Sequence, residues 1–481
     1  MCAGAFSADQ RLADWVSAMA WTRQQAKALA DQLLRYSKAA ECEVALDETR
    51  ASYTRFAANE ITTSGTSRTV NVSVTSRDGQ RSGTAHASAL DADALKEAVR
   101  QSEELMEAST PDSEYVSGLG PQSYPEIHAF HGETDKATAR DRAAVVKRAL
   151  DLSRSRELQA SGFFETISRW DAIANKKKNF GFHASTVTRF SNTMRTPDGT
   201  GSGWAASTSP RITQIPAQGL IETAARKAQT SAGPKDLPPG RYTVILEPAA
   251  VADLLGSLMI ALSRRTGDEG RSFMSKPGGG TRLGEKVFAP IVTIRSDPFD
   301  ARIPARPWSG GGGGRGGGFG LGFGFGGGSG AGEPVRKVTW IENGVVKTLH
   351  VDRAWAAKTK SRPIPYSGSV VMNGGEATVE QLIAGTDRGL LITHFFYIRP
   401  VNPQTVELTG LTRDGVWLIE KGKILHPVNN FRFNESPVNL LKNVEALSRA
   451  VPAGGGGFGG GMVVPALRAK DFSLTSKSDA V

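Results

Sequence analysis

Residues 237–270 read LPPGRYTVILEPAAVADLLGSLMIALSRRTGDEG, and the order of elements in this stretch decides the fold. Pro238, Pro239 and Gly240 make a turn that opens onto Tyr242, Thr243, Val244, Ile245 and Leu246. That apolar, β-branched run predicts a buried strand. Glu247 and Pro248 end it, and residues 249–262, rich in Ala, Leu and Met, predict a helix stopped by Gly267 and Gly270. A mostly apolar helix straight after a buried strand predicts packing of that helix on a sheet.

Upstream, residues 1–20 show no pattern and predict a loose extension. Residues 21–38 place Ala26, Leu29, Ala30, Leu33 and Leu34 at helical spacing. Strands are predicted over residues 43–47, 51–61 and 69–77, the last alternating strictly through Val70, Val72 and Val74. Asp78-Gly79 signals a hairpin returning over residues 81–89, and Asp91 caps a helix to about residue 108. Residues 21–108 thus predict a two-layer α+β unit. Residues 109–133 are Pro-, Ser- and Gly-rich and predict a linker. Residues 134–236 predict a middle α+β region, with helices at each end and short alternating runs between.

Downstream, residues 237–450 predict a β-rich C-terminal domain. It has a hairpin turned by Asn343-Gly344, a buried strand over residues 389–397 and a terminal helix reaching Leu447. Residues 309–332 hold 16 glycines and predict a disordered insertion, since so few side chains cannot offset the entropy of ordering. Residues 451–481, with a second glycine tract and a polar tail, predict disorder as well. The fold class expected is α+β: a two-layer N-terminal α/β sandwich-like region followed by a β-rich C-terminal domain.

At 481 residues the chain is long enough for two or three domains with real cores. No apolar run reaches the ~20 residues needed to span a bilayer, and the N-terminus lacks the pattern of a signal peptide. Cys2 and Cys42 alone argue against a disulfide framework and exclude a Cys-based zinc site. These features predict a cytoplasmic protein. The net charge of +10 is scattered among 48 acids, with Lys176-Lys177-Lys178 the densest run, so a solvated face explains it better than a nucleic-acid partner.

A strand opened by Pro239-Gly240 with Tyr242, Val244 and Leu246, followed by an apolar helix, resembles the C-terminal domain of the TldD/PmbA family. Those proteins are known as modulators of DNA gyrase and as metallopeptidases. Thr412, Arg413, Asp414 and Gly415, then Asn430, Arg432, Phe433, Asn434, Glu435, Ser436 and Pro437, resemble two further family stretches. The resemblance covers roughly residues 40–450 and is most specific toward the C-terminus. In the TldD-type subunit it implies a zinc motif, His-Glu-x-x-x-His, on the apolar helix after a Leu-Leu pair. Here Leu254-Leu255 is followed by Gly256, Ser257, Leu258, Met259, Ile260 and Ala261, and no histidine occurs between His183 and His350. The positions implied for the ligands fall near Gly256 and Ala261. The chain therefore resembles the PmbA/TldE-like subunit.

That resemblance implies a non-catalytic subunit of a zinc metallopeptidase, with no catalytic or metal-binding residues of its own. Zinc would sit in a TldD-type partner, and the substrate would be an extended peptide or unfolded protein. The expected peptide or subunit contacts are His394, Phe433, Asn434 and Glu435. Two other readings stay open: a hydrolase using a cluster formed by His350, His394 and His426, and a peptide-binding protein working alone, as a monomer or a homodimer. No nucleophile elbow, phosphate-binding loop or Cys–His signature is present.

Overall fold

The structure is a computed structural model that describes residues 21–310, 332–454 and 461–478. The expectations for residues 1–20 and for nearly all of the glycine insertion lie outside the described residues.

Six strands form the first sheet: β1 (Glu41–Ala57), β2 (Glu60–Asp78), β3 (Arg81–Ala87), β4 (Gln159–Asn175), β5 (Phe180–Arg195) and β6 (Ser202–Ser209). They pair in the order β3-β2-β1-β4-β5-β6, antiparallel throughout. The N-terminal unit and the middle region expected as separate bodies are therefore one. β1 pairs with β4 from Glu43–Asn175 to Phe56–Gly162, and this ladder joins the two halves. Four helices cover one face: α1 (Arg23–Tyr36), α2 (Ala92–Ala108), α3 (Ala139–Ser155) and α4 (Ala217–Thr230). Leu29 and Leu33 of α1 and Leu95 of α2 meet Val44, Leu46 and Val72. Val146 of α3 and Ile221 of α4 meet Phe164 and Phe190. Each such side chain contributes about 2 kcal/mol by leaving water. The predicted Asp91 cap is present, its carboxylate accepting the Ala94 N–H at 2.9 Å.

The two strands expected over residues 43–61 are one long strand that turns at Ala58 and Asn59. Both have left-handed φ, 49° and 62°, as a two-residue hairpin turn requires. Asn59 also pins this hairpin to the start of β4: its Oδ1 accepts from Ala160 N and Ser153 Oγ, and its Nδ2 donates to Leu158 O.

The second half begins with β7 (Gly240–Leu246) and α5 (Pro248–Ala261), where the sequence places them. Next come β8 (Ile294–Ser296), β9 (Val338–Glu342), β10 (Val345–Val346), β11 (Val370–Met372), β12 (Arg388–Asn402), β13 (Glu407–Glu420), β14 (Lys423–Pro427) and β15 (Asn430–Glu435). The last four are β16 (Val444–Leu447), β17 (Val451–Pro452), β18 (Met462–Val464) and β19 (Leu467–Ser478). Strands β8–β11 with β17 and β18 make one small sheet. In the other, β12, β7, β19, β15 and β13 pair in succession, and β13 pairs back to β12. The strands thus close into a five-membered ring, which leaves the barrel without an edge. Phe395, Phe433 and Phe472 stack inside, with Phe395 and Phe433 ring centroids 4.5 Å apart.

The expected disordered tail is corrected here. Residues 462–478 supply β18 and β19, and β19 lies between β7 and β15 with Leu467, Ala469, Phe472 and Leu474 buried. Its polar appearance comes from the outward positions of an alternating strand. The expected terminal helix is a single short turn, Pro437–Lys442, and Val444 to Leu447 is the strand β16.

Two outcomes are expected. A chain ended after Pro465 loses the strand that closes the barrel and is recovered only as insoluble protein or without a cooperative melt. Asn59→Ala loses three hydrogen bonds and places a Cβ residue without polar compensation at positive φ, a cost of about 2–4 kcal/mol. Asn59→Gly keeps the backbone and costs less. Chemical denaturation of the three proteins checks that order.

Candidate functional site

The face of the first sheet that carries no helices is turned toward the barrel, and a polar cluster joins them. Ser202 and Trp204 lie on β6, His394 on β12, Asp414 on β13 and Asp253 on α5. His394 Nε2 donates to Asp414 Oδ2 at 2.7 Å, and its Nδ1 lies 3.1 Å from Phe395 O. Ser202 Oγ donates to Asp414 Oδ1. The Trp204 indole covers the imidazole at 4.4 Å between centroids, tilted 32°. Burial alone would raise the Asp414 pKa, but the bonds from His394 and Ser202 more than offset it and hold the carboxyl below the usual range.

Local sequence explains the geometry. Asp414 has a left-handed φ of 55° and Gly415 one of 116°, and a Cβ on Gly415 would collide with the Trp417 ring. Thr412 is buried, donating to Asn430 Oδ1 and accepting from Phe431 N, both at 2.9 Å, which locks β13 to β15. Asp253 is the single charged residue of α5. Its Oδ2 accepts the Phe395 N–H at 3.1 Å. Burial pushes its carboxyl up to about 6, with His394 and the Phe395 amide pulling the other way.

The four expected contact residues separate. His394 is in the cluster, and Asn434 is half-buried on the outer face of β15. Phe433 has no exposed surface and belongs to the aromatic core of the barrel, so it reaches neither peptide nor partner. Glu435 is likewise structural: its carboxylate accepts from Ser436 N, Asn439 Nδ2 and Ser473 N, tying β15 to β19. Sequence reasoning missed Ser202, Trp204 and Asp253. A lone acid on an otherwise apolar helix was the available signal for Asp253.

The cluster is not a nucleophile relay. The serine and the imidazole bond opposite oxygens of one carboxylate, whereas a triad needs the serine hydroxyl on the imidazole. Nor do the residues fit a zinc ion. Gly256 and Ala261 on α5 offer no donor, and among the described residues no three His, Cys, Asp or Glu side chains are grouped so as to hold a metal ion. The cluster of His350, His394 and His426 therefore does not form. His426 Nδ1 faces Pro427 O instead, and the backbone of His350 pairs with Ser263. Among the described residues no helix is long and apolar enough to cross a membrane.

Because the folded pKa of Asp253 lies above its unfolded value of about 4, proton binding favours the folded state. That contribution is complete below about pH 4 and is lost as pH rises through about 6. Asp253→Asn removes the titration. Its melting temperature relative to the parent should climb between pH 4 and 7 and level off above; a difference that stays flat with pH refutes the assignment.

Comparison with known proteins agrees with this architecture. Residues 239–476 match the PmbA/TldA metallopeptidase C-terminal domain, and residues 42–105 match PmbA/TldA metallopeptidase domain 1. No curated protein matches the chain. Among solved structures, TldE from Thermococcus kodakarensis superposes with a TM-score of 0.78 at 19% identity, covering 94% of this chain and 99% of that one. A putative modulator of a DNA gyrase from Thermotoga maritima gives 0.77 at 17% identity, covering 93% and 100%. Another from Bacteroides thetaiotaomicron gives 0.77 at 17%, covering 97% and 98%. With both domain models matched in order on one continuous fold, the chain belongs to the PmbA/TldD metallopeptidase family.

Proposed function

We propose that this chain is a metal-free, non-catalytic subunit that works with a metal-bearing TldD-type homologue in trimming extended peptides. The observation that carries the reading is α5. It keeps the place and the apolar packing of the helix on which the family resemblance puts the zinc motif, but its ligand positions are Gly256 and Ala261. A helix that retains its packing and lacks donors at the motif's ligand positions still shapes the wall of a shared chamber. Ser202, Trp204, His394 and Asp414 then serve as the rigid joint holding the first sheet against the barrel. The chain's role would be to bind and orient peptide while the partner's zinc supplies the hydrolytic chemistry.

Zinc content and casein hydrolysis, measured for the purified chain alone and mixed with a His-Glu-x-x-x-His homologue, test this. The expected result is substoichiometric zinc and no hydrolysis alone, with a rate in the mixture above that of the homologue by itself. Chelator-sensitive hydrolysis by the chain alone, or a mixture no faster than the homologue, overturns it.

A further inference from the structure

Helix α3 buries Val146, Ala149, Leu150 and Ser153 against the first sheet, and one turn before Val146 the same stripe carries Arg142. Arg142 is only 2% exposed, and burial pulls its pKa below that of an ordinary guanidinium. Its side chain runs back toward the start of the helix. Nη1 donates to Ala137 O at 3.2 Å, just before the Thr138 cap, and to Thr166 Oγ1 on β4 at 3.3 Å. Its Nε–H has no hydrogen-bond partner among the described residues. Beneath it, register sets Ser52 of β1, Thr166 of β4 and Thr188 of β5 side by side across the sheet. Residues directly opposed in an antiparallel pair lie about 5 Å apart at Cβ, so Thr188 stands next to the hydroxyl that Arg142 already touches. Thr188 has no exposed surface, and its Oγ1 also lacks a partner among the described residues.

The charge here is unbalanced. Arginines on the neighbouring elements are each matched by an acid: Arg50 with Asp135 at 3.2 Å, Arg68 with Glu48 at 2.8 Å and Arg211 with Glu133 at 2.7 Å. Arg142 forms no ion pair among the described residues. The acid that acts on it from a distance is Asp141, which is exposed and whose carboxylate accepts from Thr138 N and Oγ1 at 2.8 and 2.7 Å. The N-terminal end of α3 adds positive potential at the same place instead of cancelling it. A buried charge left in this state is costly unless a counter-charge joins it.

We infer that Arg142 and Thr188 hold a small monovalent anion, with chloride the simplest, between the N-terminal end of α3 and strands β4 and β5. The donors are Arg142 Nε–H and Thr188 Oγ–H, the two polar groups there that the fold leaves unused. One uncompensated guanidinium calls for one negative charge, and residues this buried suit a monatomic ion better than a phosphate or a peptide carboxylate. Hydrogen bonds from a charged donor to an anion are about twice as strong as neutral ones. The ion would fasten α3 to the first sheet, so its binding is coupled to the stability of the folded chain. A buried water would satisfy both donors and leave the charge in place, and the measurements below separate it from an anion.

The test is thermal unfolding of the full chain at a fixed ionic strength of about 0.2 M, with sodium methanesulfonate exchanged stepwise for sodium chloride. The melting temperature should rise with the logarithm of chloride concentration, by about 3 °C over the exchange. Arg142→Gln should show no such rise. Thr188→Val should need about tenfold more chloride for the same rise, while Thr188→Ser, which keeps the hydroxyl, should behave as the parent. If Arg142→Gln does not fold, the two Thr188 variants carry the comparison. Crystals of the parent grown in sodium bromide should show an anomalous bromide peak within hydrogen-bonding reach of Arg142 Nε and Thr188 Oγ1. A melting temperature indifferent to chloride, a rise that Arg142→Gln or Thr188→Val shares in full, or a water in place of bromide overturns the proposal.

Discussion

A carboxylate buried between two layers must be satisfied or the layers part, and Asp414 is that carboxylate here. Its two oxygens are divided between the halves of the molecule, one taking Ser202 from the first sheet and the other His394 from the neighbouring barrel strand. Removing either donor would leave buried charge unpaired, which costs far more than a typical surface contact returns. The left-handed backbone at Asp414 and Gly415 aims the carboxylate at that joint, and Trp204 covers the imidazole bonded to it.

Around this joint the chain is organised by closure. The barrel closes because β19, the last strand among the described residues, enters between β7 and β15. The segments most specific in sequence, Thr412 to Gly415 and Asn430 to Pro437, hold that closure: Thr412 locks β13 to β15, and Glu435 reaches β19. Their distinctiveness reflects architecture more than chemistry. Ser436 fits the same account, its hydroxyl capping the short helix begun by Pro437.

Local patterning was legible where a strand or helix is specified by its own period. The strand and apolar helix over residues 240–261, the Asp91 cap and the Asn343-Gly344 hairpin all fall where the residues place them. The polar tail misled, because residues 467–478 alternate and a strand's burial depends on what packs on its other face. The candidate site was half legible. His394 stood out as a lone histidine on an apolar strand, whereas Ser202 and Trp204 gave no signal, since 192 residues separate Ser202 from its histidine neighbour (394 − 202).

Residue types at fixed short spacing were enough for the α+β character, the membership of a recognisable family and the lack of a His-Glu-x-x-x-His motif on α5. Long-range pairing alone made the first two regions share one sheet, let residues 467–478 close the barrel, and made Phe433 and Glu435 core and brace. It also brought Ser202, Asp253, His394 and Asp414 to one place. Those outcomes depend on pairings between segments far apart in the chain, whose geometry no local period encodes.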